Sequence, residues 1–460
     1  MPHYDVLVIG SGQAATPLVF ALAKDGKQVA LAERRYLGGS CVNFGCTPTK
    51  AVLASARVAH LARRGTEFGV TIPTVTIDFP AVLAGARKVV MESRDGLDED
   101  INGSENPKLL RGHARLNGKN DEGFLVQIEN GPLVTAREVV LDTGTRALIP
   151  PLDGLEGTPF FTADNWLDHD SLPQHLILLG GGYIGLEMSQ FYRRMGSQVT
   201  VIDRGDRIAP REDDDVCQVL QPILENEGIT FHLSSTVTKV AKTTEGGVTV
   251  TVQSEDGAET LVTGSHLFVA VGRKPNTDDL GLETVGITPD ENGFLEVDRH
   301  SRTSVNGLWA VGDIRGGPMF THTSWDDHKI VLSAMTGDGS HTTERVVPYA
   351  VFVDPQLGRV GVTEEEARKS GKPIKVGRYE MLHNGRAREY RERAGFAKVI
   401  VDAETDKLLG ATIVGDEAAE LIHVYVALMN ADAPVRTLRD SVYVHPTLME
   451  AVQSAAEAAA

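Results

Sequence analysis

Two of the chain's three cysteines, Cys41 and Cys46, are separated by four residues in the stretch GGSCVNFGCTPTK. Two thiols this close together can bind a metal, fill an apolar core, or form a disulfide that is made and broken during a reaction. The third cysteine, Cys217, lies far along the chain, and no Cys-x-x-Cys pair is present, which disfavours a structural zinc site. A metal site shared with histidines stays open on the cysteine count alone.

The residues after the pair predict a helix that begins close to it. Pro48 and the alanine-rich stretch that follows suit the first turns of a helix. A thiol at a helix N-terminus feels a partial positive charge, which lowers its pKa from about 8.5 and favours the thiolate. The position therefore favours a reactive pair over inert buried cysteines.

A candidate nucleotide-binding unit opens the chain. The apolar, β-branched run 4–10 enters a loop containing Gly10 and Gly12, and a helix-favouring stretch and a second strand pattern ending at Glu33 follow. In such a loop the first glycine makes the tight turn, the second lets the backbone approach a diphosphate, and a small residue, here Ala15, lets helix and strand pack closely. The diphosphate binds at the helix N-terminus, and the acid accepts hydrogen bonds from ribose hydroxyls.

The same pattern occurs again in the middle of the chain. Gly180, Gly182 and Gly185 lie between a strand pattern and a helix pattern, and the next strand pattern ends at Asp203. The first glycine and the acid are equally far apart in both copies, which favours two dinucleotide sites and an electron relay between two cofactors. Asp203 disfavours a 2′-phosphate and hence favours NADH, whereas Arg204 is a residue that accommodates that phosphate.

Composition excludes several classes of partner. The chain has 460 residues and a formal charge of −18, which disfavours nucleic acid and anionic lipid. Its apolar runs are too short to cross a bilayer, and the N-terminus is typical of a first β-strand rather than a signal peptide. Three cysteines do not make a secreted disulfide framework, so we expect a cytoplasmic protein of two to four domains.

These motifs resemble, in their order, those of the pyridine nucleotide–disulfide oxidoreductases, FAD flavoproteins that include dihydrolipoamide dehydrogenase and mercuric reductase. The resemblance covers essentially the whole chain. It rests on the two glycine fingerprints, the dithiol stretch, AVGRKPN at 270–276, AVGDI at 310–314 and HPTLME at 445–450. It implies an α/β fold with two Rossmann-like dinucleotide-binding domains and a C-terminal α+β dimerisation domain, and hence a homodimer.

The resemblance also implies how the chain is divided. We expect an FAD-binding domain at 1–148, an NAD(P)-binding domain at 149–271, a return to the FAD layer at 272–345 and an interface domain at 346–460. Further cofactor contacts are expected from Gly39, whose small size lets the backbone fit against a planar ring, and from four residues of later motifs. These four are Thr143, Gly144, Gly272 and Asp313.

Roles for the reactive side chains follow from the same resemblance. Cys46 is the thiol nearest the flavin, and Cys41 exchanges with the substrate. Lys50 places an ammonium near the redox-active nitrogen of the flavin, and Glu187 is the partner of that lysine. His445 reaches across the dimer as acid–base to the partner's interchange thiol, and Glu450 orients it.

The substrate is left open between three hypotheses. The favoured one is an NAD(P)H-dependent reductase of an organic disulfide, which the His445 and Glu450 pattern supports. The second is reduction of metal ions or quinones, because the dithiol stretch is mercuric-reductase-like; the absence of cysteines after Cys217 makes Hg(II) itself a poor substrate. The third is a low-turnover, redox-responsive flavoprotein that binds a partner.

Two positions depart from the family pattern. Trp325 and the two aspartates after it replace the smaller residues typical of lipoamide dehydrogenases. Asp142 stands where the family usually has a small residue before Thr-Gly. The first departure argues against ordinary lipoamide specificity, and the second has no explanation in the sequence.

Overall fold

A computed structural model describes residues 1–460, and its N-terminal part is a mostly parallel sheet with helices packed on one face. The strands are β1 (His3–Ile9), β2 (Val29–Glu33), β3 (Lys108–Arg111), β4 (Ala114–Asn120), β5 (Gly123–Ile128), β6 (Leu133–Leu141) and β7 (Thr145–Ala147). The helices are α1 (Ala15–Lys24), α2 (Gly39–Asn43), α3 (Cys46–Arg63) and α4 (Phe79–Asn102). The order β3-β2-β1-β6 is parallel, and β5 and β4 continue it antiparallel.

Strand β1 lies inside this sheet because its side chains are apolar on both faces. Val6 and Val8 belong to one hydrophobic cluster, whereas Leu7 and Ile9 belong to the cluster on the other side. Helix α1 covers the first face, whereas residues of β4, β5 and the segment 280–295 cover the second, so the strand is buried on both sides. The carboxyl end of β1 therefore delivers the first glycine loop to the edge of the sheet where ligands bind.

A second parallel sheet follows, in the order β11-β10-β9-β15-β8. Three further strands, β12 to β14, form an antiparallel layer beside it. The strands are β8 (Phe160–Thr162), β9 (His175–Leu179), β10 (Gln198–Ile202), β11 (Ile229–His232), β12 (Ser235–Lys242), β13 (Val248–Ser254), β14 (Glu259–Gly264) and β15 (His266–Val269). The helices are α5 (Tyr183–Met195) and α6 (Asp214–Asn226).

The chain then returns to the first sheet. Strand β16 (Arg273–Pro275) pairs with β7, and β17 (Leu308–Ala310) pairs in parallel with β6. Helix α7 (Thr321–Thr336) packs against α1. This return places the segment before α7 next to the first glycine loop.

The C-terminal part is an antiparallel sheet in the order β18-β19-β22-β21-β20, and α12 packs on β20 and β21. The strands are β18 (Pro348–Val351), β19 (Gln356–Gly361), β20 (Ile374–Glu380), β21 (Phe396–Asp402) and β22 (Leu408–Gly415). The helices are α8 (Glu364–Lys369), α9 (Gly385–Tyr390), α10 (Ala418–Asn430), α11 (Arg436–Arg439) and α12 (Met449–Ala458). The predicted fold class, two Rossmann-like units and a C-terminal α+β unit, is confirmed.

None of the helices is both long enough and apolar enough to span a bilayer.

Candidate active site

The first glycine loop joins β1 to α1 and has no room for larger side chains. Gly10 has a φ of +94°, and a Cβ there would lie 2.3 Å from the carbonyl oxygen of Asp142. Glu33, at the end of β2, accepts hydrogen bonds from the amide and the hydroxyl of Ser11, at 3.0 and 2.6 Å. The acid predicted to contact a ribose is therefore fixed against the loop.

The dithiol segment packs directly on this loop. A Cβ on Gly39 would lie 3.0 Å from the Cα of Gly12, so the two backbones are in contact. Asn43 holds helix α2 in place by donating to the carbonyl oxygens of Leu37 and Gly39, each at 2.8 Å. The close approach brings Cys41, on α2, to the mouth of the nucleotide loop.

Helix α3 begins at Cys46, as the sequence predicts, and the chain turns into it through Gly45 without a side-chain cap. The Cys46 sulfur lies 3.0 Å from the hydroxyl of Thr321, the first residue of α7. Cys41 and Cys46 are both free thiols. The pair therefore lies between two helix N-termini, where a thiolate is stabilised.

The two thiols differ strongly in acidity. The hydrogen bond from Cys41 lowers the pKa of Cys46 to about 6; burial opposes this shift, and the Thr321 hydroxyl and the charge of Lys50 add to it. The same hydrogen bond and burial raise the pKa of Cys41 well above its usual range. In the reduced pair this asymmetry favours the thiolate at Cys46 and the proton on Cys41.

Lys50 lies one turn after Cys46 on α3 and pairs with Glu187 on α5. The Lys50 ammonium is 2.8 and 3.0 Å from the two carboxylate oxygens, and it lies over the ring of Phe352. The amide of Phe352 donates to Glu187 at 2.8 Å. Glu187 is only 8% exposed, whereas the Lys50 side chain is 34% exposed, so the carboxylate is the buried member of the pair. The Lys50 ammonium places one positive charge near Cys46, and this charge lowers the pKa of the thiol.

The residues predicted from the later motifs of the first sheet lie close together. Thr143 donates to the carbonyl oxygen of Asn276, and Gly144 has a φ of +63° that favours glycine. The Thr145 hydroxyl donates to Asp313 at 2.9 Å. Asp313 follows β17, so the return of the chain to the first sheet is what places it here.

The second glycine loop has the same construction at the carboxyl end of β9. A Cβ on Gly180 would lie 2.4 Å from the carbonyl oxygen of Ala270, and one on Gly185 would lie 2.0 Å from the carbonyl oxygen of Gly180. Gly182 is the N-cap of α5, and nothing lies within 4 Å of a Cβ there. This open N-terminus is suited to a diphosphate.

The acid of the second unit is fixed as firmly as that of the first. Asp203 accepts from the amides of Gly181 and Gly205 at 2.5 and 2.6 Å. Arg204 is exposed, and Gly272 has a φ of +146° beside Leu148. The carboxylate, and not the arginine, is the group bonded to the loop.

His445 and Glu450 lie together at the start of α12. His445 Nδ1 is 2.8 Å from Glu450, and the Thr447 amide donates to the second carboxylate oxygen at 2.9 Å. The hydrogen bond to Glu450 raises the pKa of His445, and it lowers the pKa of Glu450. The imidazole is 75% exposed and forms no hydrogen bond with Cys41 or Cys46.

Several supporting residues were missed at the sequence level. Trp166 donates its indole N–H to the carbonyl oxygen of Phe44 at 2.9 Å, between the two cysteines. Arg94 of α4 donates to Asn43 at 2.6 Å. Thr321 contacts the thiolate from α7. Trp166 and Arg94 are far from the dithiol in sequence and lie in no recognisable motif. Thr321 lies in a stretch typical of the family, but nothing local to it signals its contact with Cys46.

The fold and the site together define a two-dinucleotide, dithiol oxidoreductase. Residues 4–327 match the family described as pyridine nucleotide-disulphide oxidoreductase, and residues 347–456 match the dimerisation domain of that family. The chain belongs to this family, whose members are NAD(P)H-dependent FAD enzymes. The family prediction is confirmed.

Known relatives align along almost the full chain. Dihydrolipoyl dehydrogenase of Cupriavidus necator is 34% identical over 99% of this chain and 97% of its own length. RclA of Escherichia coli, a probable pyridine nucleotide-disulfide oxidoreductase, is 33% identical over 98% of each. A solved structure described as the Cu(II) complex of the HOCl-induced flavoprotein disulfide reductase RclA is 32% identical, with a TM-score of 0.89 over 99% of both chains.

The residues present fit FAD. Gly10 and Gly12 form a cradle that a Cβ would fill, at the N-terminus of α1, and Glu33 lies beside it. The dithiol lies against this cradle through Gly39. Donor amides, an acid at the strand end and a neighbouring thiol pair are the groups that a dinucleotide and its flavin require.

We predict that Thr321→Val raises the pKa of Cys46 above about 6. The valine removes a hydrogen bond to a charged sulfur, worth about one pKa unit. The measurement is the pH dependence of Cys46 alkylation in the reduced protein, read by peptide mass spectrometry. Thr336→Val, at the other end of α7, is the control and should leave the profile unchanged. An unchanged Thr321→Val profile would contradict the assignment.

Proposed function

We propose that this chain is an NAD(P)H-dependent disulfide reductase in which Cys41 and Cys46 carry electrons from FAD to a small disulfide substrate. The observation that carries the proposal is the unequal thiol pair on the first nucleotide loop, with the Lys50–Glu187 ion pair beside it. When bound, FAD relays an electron pair from the nicotinamide to the enzyme disulfide.

Cys41 is the interchange thiol in this proposal. Its thiolate attacks one sulfur of the substrate disulfide, forms a mixed disulfide and releases the first substrate thiol. The Cys46 thiolate then attacks the Cys41 sulfur, which breaks the mixed disulfide and releases the second substrate thiol. The enzyme disulfide is re-formed, and the substrate has gained two electrons, one proton that came from Cys41 and a second proton taken up from solvent.

The protons move through His445 in the homodimer that we propose. Cys41 holds its proton in the reduced pair, so a base must remove it before attack. An imidazole raised in pKa by Glu450 is suited to accept that proton and return it to the leaving thiolate. The exposure of His445 on its own chain suits a role at the active site of a second subunit.

The remaining assignments follow from placement. We propose that Glu33, Thr143, Gly144 and Asp313 hold FAD beside the first loop. The second loop, with Gly182 at the N-cap of α5 and Gly272 near its edge, holds the nicotinamide nucleotide. Three cysteines in 460 residues are too few for a secreted disulfide framework, and we propose the cytoplasm.

The proposal predicts that Cys41→Ser abolishes reduction of disulfides by NADH while reduction of quinones survives. A serine does not form the mixed disulfide, whereas a quinone does not require the thiol. The measurement is NADH oxidation by the holoenzyme with lipoamide, glutathione disulfide and a benzoquinone as oxidants. Cys217→Ser, at a buried cysteine that hydrogen-bonds the carbonyl oxygen of Ile208, is the matched control.

Wild-type enzyme that reduces none of the disulfides, or Cys41→Ser enzyme that reduces them normally, would refute this function.

A second candidate is reduction of metal ions at the same thiols. It is favoured by the similar solved structure, whose description names a Cu(II) complex. Thiolates are soft ligands for Cu(I), and one dithiol supplies the two electrons that reduce two Cu(II) ions while the disulfide forms. Cu(II) added to the same oxidant panel separates the two candidates, since a Cu(II) reductase oxidises NADH with Cu(II) and with none of the disulfides.

We expect His445→Gln to slow disulfide turnover by about 100-fold or more, the usual contribution of a general acid–base. Glutamine neither accepts nor returns the thiol proton. The measurements are steady-state turnover with the preferred disulfide and single-turnover reduction by NADH, which should be unchanged. His341→Gln replaces another exposed histidine and serves as the control. Normal turnover in His445→Gln would rule out the assigned role.

We also propose that NADH is preferred over NADPH, because the Asp203 carboxylate is bonded to the second loop and repels a 2′-phosphate. We expect at least about tenfold higher kcat/KM for NADH, which Asp203→Asn should reduce by removing the charge. Asp206→Asn, at an exposed acid three residues after Asp203, is the control. Equal kcat/KM values in the wild type would refute the preference.

A further inference from the structure

Asp142 is a buried acid at the base of the first glycine loop. It follows β6, is 5% exposed, and its backbone amide donates to the carbonyl oxygen of Ile9 at 2.8 Å. The Ala15 amide, in the first turn of α1, donates to Oδ2 at 2.9 Å. A Cβ on Gly12 would lie 2.6 Å from both carboxyl oxygens. The carboxyl group therefore occupies the N-terminus of α1, within the cradle assigned to the FAD diphosphate.

The charges around this carboxyl group do not neutralise it. Asp327 and Asp313 face it, and both act with burial, the largest effect, to raise the pKa of Asp142 well above its usual range. The cations nearby are already engaged, since Arg315 and Arg345 pair with Asp327. The Ala15 amide opposes the shift but does not reverse it.

Oδ1 is the oxygen left for a ligand. The Ala15 amide donates to Oδ2, the Ala14 amide also acts on the carboxyl group, and no side chain hydrogen-bonds Oδ1. Oδ1 lies 3.0 Å from the place that a Cβ on Gly312 would occupy, so glycine residues border it on both sides. The two glycines let backbone, and no side chain, approach the carboxyl group closely.

We propose that Asp142 binds FAD as a neutral carboxylic acid, with Oδ2 accepting from Ala15 and the Oδ1 hydroxyl donating to an oxygen of the diphosphate. This inference rests on the proposed FAD-dependent function. A hydrogen bond from a neutral acid to an anionic phosphate is charge-assisted and strong. An ionised carboxylate in the same place would instead repel the diphosphate, and it has no cation to offset that repulsion.

Substitutions at Asp142 distinguish the neutral acid from the ionised one. Asp142→Asn keeps one acceptor and one donor, so we expect FAD affinity within about threefold of wild type. Asp142→Ala removes both groups. We expect it to raise the FAD dissociation constant about tenfold or more, because a charge-assisted hydrogen bond is lost. If Asp142 were ionised, removing its charge would tighten FAD binding in both variants.

The experiment measures FAD dissociation constants of the apoprotein by quenching of flavin fluorescence. Glu138→Gln, on the same strand and bonded to Trp309, is the control and should match wild type. Infrared difference spectra between wild-type and Asp142→Asn holoenzyme then report the protonation state directly. We expect the carbonyl band of a carboxylic acid in the wild type that is absent from the variant.

Tighter FAD binding in Asp142→Ala, or carboxylate bands in place of the acid band, would overturn the proposal. The infrared comparison uses only holoenzyme that has folded with FAD. If Asp142→Asn does not fold, the FAD dissociation constants of the wild type and Asp142→Ala still test the proposal. Wild-type protein that does not bind FAD would refute the flavin-dependent function itself, which is a separate outcome from a failure of Asp142.

Discussion

The Lys50–Glu187 ion pair joins the three parts of the molecule at the reactive thiols. Lys50 belongs to α3, Glu187 to α5 of the second nucleotide unit, and the Phe352 amide that bonds Glu187 to the segment after β18. Because Glu187 is almost fully buried, removing Lys50 alone would leave a buried charge without its partner, which is strongly destabilising. The relative positions of the thiols and the two nucleotide loops depend on this contact.

The inequality of the two thiols is a product of position rather than of residue type. Cys46 starts a helix, faces the Thr321 hydroxyl and lies one turn from Lys50, whereas Cys41 lies on the short helix α2 and holds the shared proton. Each of these influences is modest alone. Together they divide two chemically identical side chains into a stable thiolate and a thiol that needs a base, which is the division that a two-step exchange requires.

Much of this arrangement could be predicted from the sequence because glycine spacing and strand patterns are local signals. The two loops, the helix after Cys46 and the family follow from such signals. Thr321, Trp166 and Arg94 could not be found in this way, because each reaches the dithiol from a distant element through tertiary packing. Asp142 was visible only as an unusual residue, since its significance depends on the burial that β6 and α1 create.

The contact between Gly39 and Gly12 has a consequence for how this protein can change over time. Neither backbone can move away without opening the space between the redox pair and the cofactor cradle. Gly39 cannot gain a side chain without displacing Gly12, and Gly12 cannot gain one without displacing the carboxyl group of Asp142. The two motifs are far enough apart in sequence to mutate independently, yet a change in one must remain compatible with the other for the contact to persist. A dithiol segment transplanted from a relative would therefore function only together with the glycine loop on which it evolved.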